Sequence, residues 1–156
     1  MPRLPDLSAL PPCPALLADR FNTLRFDQAQ QAVILLDRRV YPFRVEYVTC
    51  RSVAETAQAI EQMVVQGGPP LAYAAGLGLA LAGPGLTDLR LAAARLLATR
   101  PTADDLHTLA PQALQRAEAA LLAGQDAQAA ILAFVNSEIE RGNRVFPVSD
   151  KAQDVV

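Results

Sequence analysis

Apolar and polar positions change their period once along this chain, near residue 52. Before it, three short runs rich in β-branched and aromatic residues stand apart: Thr23-Leu24-Arg25-Phe26, Ala32-Val33-Ile34-Leu35-Leu36 and Val45-Glu46-Tyr47-Val48. Asp27-Gln28 and the stretch from Asp37 to Pro42 separate them, a spacing that predicts an antiparallel three-stranded meander. After it, the repeat is helical. Ser52 followed by Glu55 makes a capping box, and Val53, Ala57, Ile60 and Val64 fall on one face of a first helix that should stop at Gly67.

A second helix is introduced by Pro69-Pro70, where a missing N–H costs nothing, and should end at Gly83-Pro84-Gly85. Thr87 is placed to cap a third helix through about Ala98, Thr102 a fourth through Ala123, and Asp126 a fifth through about Arg141. Gly124 and Gly142 read as the stops of the last two. Pro111 falls inside the fourth helix and predicts a kink or a break into two pieces. The fold class is therefore α+β, mostly α: a small antiparallel three-stranded sheet followed by a bundle of about five helices. The reading divides the chain into an extended Pro-rich arm over residues 1–21, one domain over 22–145, and a tail over 146–156.

Composition narrows what such a domain can do. With 51% hydrophobic residues in a chain of 156, there is apolar material for one core and not two. Aromatics at 5% favour alanine- and leucine-packed helices over a β-sandwich. A formal charge of -2, without a local Lys/Arg cluster, excludes a basic face for nucleic acid. The apolar run from Leu71 to Ala82 is about half of the roughly 20 residues a membrane span needs, so it reads as a buried core helix. The five prolines between Met1 and Pro14 fit neither a signal peptide nor an anchor. Cys13 and Cys50 have no second thiol or histidine at ligand spacing, which predicts free thiols in a reducing cytoplasm, no metal and no cofactor.

Three segments, taken in order, resemble the N-terminal domain of the methylthioribose-1-phosphate isomerases and their relatives, the regulatory subunits of translation initiation factor 2B and the ribose-1,5-bisphosphate isomerases. They are Val33 to Arg39 with Val45 to Val48; Val53 to Val65 running into Gln66-Gly67-Gly68-Pro69-Pro70-Leu71, similar to that family's Met-Val-Val-Arg-Gly-Ala-Pro-Ala-Ile turn; and Thr99-Arg100-Pro101-Thr102-Ala103, similar to its Ser-Arg-Pro-Thr-Ala. The resemblance implies that the catalytic cysteine and aspartate belong to a larger C-terminal α/β domain. Neither cysteine here matches that cysteine, so no catalytic residue is assigned. It also marks Gln66, Gly67, Gly68, Arg100 and Thr102 as the positions of a phosphate-binding site. Gln66 replaces the arginine of the family's turn, and Asp104-Asp105 stand where the isomerases carry an apolar residue and asparagine.

Each candidate has a plainer reading. The Gly67-Gly68-Pro69-Pro70 turn is physically an anion site at a helix start, but its prolines remove two donors. Arg100 offers a bidentate fork to phosphate, or is a surface arginine before a cap. Asp104 and Asp105 suit the first turn of a helix, where carboxylates favour the dipole. His107 has no metal-ligand partner and reads as partly buried or surface, and Arg38 and Arg39 beside Asp37 as surface ion pairs of little worth. The reading that follows is a stand-alone relative of the isomerase N-terminal domain, non-catalytic alone and acting as a protein-interaction or regulatory module. The alternatives are a component of a truncated or split aldose-1-phosphate isomerase in methionine salvage and a sugar-phosphate sensor. Expected partners are a second copy or an α/β-domain protein, with a sugar phosphate as ligand.

Overall fold

The computed structural model describes residues 23–145; the arm expected over 1–21, Cys13 within it, and the tail expected over 146–156 lie outside the described residues. Strands β1 (Leu24–Asp27), β2 (Ala32–Leu36) and β3 (Tyr47–Cys50) pair antiparallel in chain order. Because side chains alternate between faces, the pairs Leu24↔Leu35 and Val33↔Cys50 share one face, and all four residues join the main core. The β1–β2 turn is shaped by Asp27, whose Oδ1 accepts the N–H groups of Ala29 (2.9 Å) and Gln30 (3.2 Å).

The third strand lies two residues later than the sequence pattern predicts, and Asp37 supplies the reason. The chain after β2 winds back on it, with the N–H groups of Val40 and Tyr41 donating to the Asp37 carbonyl. Asp37 N–H then donates to Glu46 O at 2.8 Å, and the β2–β3 ladder begins at Leu36↔Tyr47.

Helix α1 (Val53–Glu61) opens at the predicted cap, Ser52 Oγ accepting the Glu55 N–H at 3.1 Å, but Glu55 Oε2 accepts the Arg51 N–H at 3.1 Å and not the Ser52 N–H of a full capping box. It does not reach Gly67. Met63 adopts a left-handed φ of 69°, Val64 N–H donates to Ala59 O (3.0 Å) and Met63 N–H to Ile60 O (3.2 Å), a Schellman closure built on a methionine instead of a glycine.

Helix α2 (Gly68–Leu79) starts after Gly67, whose φ of 94° and ψ of 148° suit glycine, and carries Pro69 and Pro70 in its first turn. It ends at Leu79, short of the predicted Gly83, because Ala80, Leu81 and Ala82 turn on the carbonyls three residues before them. Every residue from Ala72 to Leu79 is buried, and α2 touches the four other helices of the described residues as well as β1 and β2. Gly76 and Gly78 make that closeness feasible: a Cβ at 76 would lie 2.7 Å from Val135 Cγ2 and one at 78 would lie 2.6 Å from Thr56 Cγ2.

Helices α3 (Leu86–Leu97), α4 (Asp104–Leu122) and α5 (Ala127–Val145) complete the bundle. The predicted caps Thr87 and Thr102 are displaced by Gly85 and Ala103, and Asp88 Oδ2 accepts the Gly85 N–H at 3.2 Å. Asp126 caps α5 as predicted, its Oδ1 accepting Gln128 N–H at 3.0 Å. Pro111 sits inside α4 without dividing it, and α5 continues past Gly142, since a helical glycine costs only about 1 kcal/mol relative to alanine. Gly124 does close α4, with a φ of 72° and Gln125 N–H donating to Ala120 O at 2.7 Å. No helix among the described residues is long and apolar enough to cross a membrane.

Candidate functional site

The α1–α2 turn is where the fold assembles the predicted site. Gln66 lies just before Gly67, and its Nε2 donates to Met63 O at 3.1 Å. Arg100, in the segment between α3 and α4, reaches the same turn: Nη2 donates to Ile60 O at 3.2 Å and touches the Met63 sulfur. Its Nε is buried without a hydrogen-bond partner among the described residues. A cation at the carbonyl end of α1 is favoured by the helix dipole, so the backbone at that helix end already holds this guanidinium. The Arg100 carbonyl in turn accepts Ala103 N–H at 3.1 Å and stands 3.0 Å from His107 Nε2. His107 is exposed, as is Thr102, which lies in the loop ahead of the cap.

The opposite pole of the turn is filled as well. Asp105 lies in the first turn of α4, as expected, but its Oδ2 rests directly on Gly68 at the start of α2, where a Cβ at residue 68 would collide with it. The position where free N–H groups and the helix dipole would welcome an external anion thus already faces a carboxylate. Gln66, Gly67, Gly68 and Arg100 are brought together, then, with a fixed acid against one end and the one strong cation turned onto the protein backbone.

Other candidate groups stand apart from the turn. Burial pushes the Cys50 thiol up to about 11, which leaves it protonated and unreactive. Among the described residues no three His, Cys, Asp or Glu side chains converge as metal ligands would. Asp37, read from sequence as part of a surface cluster, is 5% exposed and receives Arg39 Nε at 2.9 Å and Nη2 at 2.8 Å, while Arg38 lies over the Tyr41 ring, 5.9 Å from its centroid. The buried acid is explained by the backbone it also serves, because its Oδ1 accepts the Arg39 N–H at 3.0 Å.

The Arg39 guanidinium bonded to Asp37 holds that carboxyl below its ordinary value. Unfolding therefore takes up a proton in acid. The stabilisation is fully present above about pH 4 and disappears as pH falls through the lowered folded value. Thermal unfolding of Asp37→Asn should vary less between pH 5 and pH 2, as a range chosen on that basis, than that of wild type. Parallel curves would remove Asp37 from the acid response.

Fold and site together define a class: a sheet-flanked helical domain with a glycine turn between two helices and an arginine that reaches the helix end before it. Comparison with known proteins gives this a narrower meaning. No protein-family profile matches the chain. The methylthioribose-1-phosphate isomerase of Thermus thermophilus is 42% identical over 88 residues, 56% of this chain and 27% of that protein. The same enzyme of Pelotomaculum thermopropionicum is 39% identical over 82 residues, 47% of this chain and 22% of that protein. Among solved structures, the 5-methylthioribose 1-phosphate isomerase of Pyrococcus horikoshii superposes with a TM-score of 0.64 at 25% identity, over 74% of this chain and 35% of that one. The delta subunit of translation initiation factor 2B from A. fulgidus gives 0.57 at 28% identity, over 76% and 35%. The chain spans about a quarter of the length of the curated relatives it matches. Sequence and fold thus both support a relationship to the methylthioribose-1-phosphate isomerases and to initiation factor 2B, consistent with a domain like the N-terminal one of these proteins.

Residue reasoning missed two parts of this arrangement. Met63, 44% exposed, links Gln66 to Arg100, and nothing in its local sequence announces a left-handed methionine. The contact of Asp105 with Gly68 had one visible sign, the acid standing where the isomerases carry asparagine.

Proposed function

We propose that this domain is a non-catalytic relative of the isomerase N-terminal domain that works as a protein-interaction or regulatory module. The observation that carries the reading is the internal occupation of the phosphate position: Asp105 faces Gly68, and Arg100 is committed to the Ile60 carbonyl. Aldose-to-ketose conversion moves a proton between neighbouring carbons and needs an acid and a base at the reacting atoms. The turn offers Gln66, Arg100, an exposed thioether and one carboxylate, Asp105, which rests on Gly68, while the nearby His107 ring stands at the Arg100 carbonyl. Met63 gives the same face an apolar contact beside Gln66, suited to cover by a partner: a second copy or an α/β-domain protein. A cytoplasmic setting, with free thiols, accompanies this reading.

Calorimetric titration of inorganic phosphate and of methylthioribose-1-phosphate tests it. Wild type should show no saturable heat, and the double variant Gln66→Arg/Asp105→Asn, which restores a cation and removes the resident charge, should acquire phosphate binding. Saturable binding by wild type would instead favour the sugar-phosphate sensor or an isomerase component.

A further inference from the structure

A cleft of about 240 Å³ opens where α2, α4 and α5 meet. Its apolar lining includes Ala72, Leu109 and Tyr73, each less than a tenth exposed. Of its charged groups, Glu138 and Arg141 form an ion pair with each other. The Tyr73 hydroxyl donates to the Glu138 carbonyl at 3.4 Å, and the Thr108 hydroxyl donates to the Asp104 carbonyl at 2.9 Å. Asp105 remains: among the described residues its carboxylate has neither an ion pair nor a hydrogen bond. The cleft therefore combines an apolar floor with one carboxylate that no described side chain pairs, beside an ion pair that cancels itself.

We propose that this cleft binds a small primary ammonium compound with a short unbranched apolar chain. The ammonium group meets the Asp105 carboxylate, a charge-assisted contact, while the chain lies over Ala72, Leu109 and the Tyr73 ring. At about 30 Å³ for each water-sized group, the volume accommodates about eight non-hydrogen atoms, room for the six or seven of an amine with five or six carbons. The same lone charge repels an anion of equal length. Ligand sign thus follows from Asp105, independently of whether the domain acts as an interaction module.

The probe is n-pentylamine, titrated at low salt into isotopically labelled full-length chain and followed through the methyl resonances of Leu109 and Ala72. Saturable shifts are expected with the amine and none with pentanoate. Asp105 is exposed, where a charged contact is weak, so Asp105→Asn should weaken binding by about twofold to fivefold at low salt. Gln112→Lys, at an exposed position on the cleft rim, provides a second variant that should abolish binding by repulsion if Asp105→Asn does not fold. Absence of saturable shifts, equal binding of pentanoate, or unchanged affinity in the variants would overturn the proposal.

Discussion

Leu77→Ala should lower the free energy of unfolding by about 3–5 kcal/mol, the upper part of the range for a buried leucine. Leu77 is fully buried in α2, which among the described residues is in contact with the four other helices and with two strands. Its neighbours in sequence explain why the cavity should persist. Gly76 already lets Val135 and Leu109 approach the α2 backbone, and Gly78 does the same for Thr56, so the surrounding helices have little distance left over which to collapse. Urea unfolding at unchanged slope measures the loss. A change below about 1 kcal/mol would mean that the α2 environment relaxes freely, contrary to this packing.

Arg100→Ala should cost about 1–3 kcal/mol, because it removes a charged donor from Ile60 O at the end of α1. Arg100→Lys should recover only part of it, since a point charge cannot reproduce the guanidinium's reach to both the carbonyl and the Met63 sulfur. The informative contrast is with binding: neither wild type nor the folded Arg100→Ala chain should bind phosphate saturably. Saturable binding by wild type that disappears in the folded Arg100→Ala chain would return Arg100 to the role its sequence position suggests.

Much of the fold was legible because burial enforces period. The alternation that sends Val33 and Leu35 to the core and the apolar run beginning at Leu71 marked the sheet and the central helix, and Ser52 and Asp126 marked two helix starts by chemistry that acts within three residues. Ends were harder to read. Met63 stops α1 in a conformation that its residue type disfavours, and Gly142 fails to stop α5, because tertiary packing outweighs local preferences worth about 1 kcal/mol. The β3 register depended on how the chain winds back on Asp37, which no strand pattern encodes. At the site, Gln66 and Arg100 both meet Met63, a neighbourhood whose charge directions the sequence could not tell. Asp105 and Gly68 are 37 positions apart, and only the packing of α4 on α2 brings the carboxylate to that glycine.

The most direct measurement of the central claim is turnover of methylthioribose-1-phosphate by the purified chain alone, followed by NMR of the aldose and ketose forms. The account predicts no conversion above a protein-free control, with the fold verified in the same sample. Conversion that survives repurification, and that falls in an Arg100→Ala or Asp105→Asn variant shown to be folded under the assay conditions, would contradict it and place a working isomerase site in these residues.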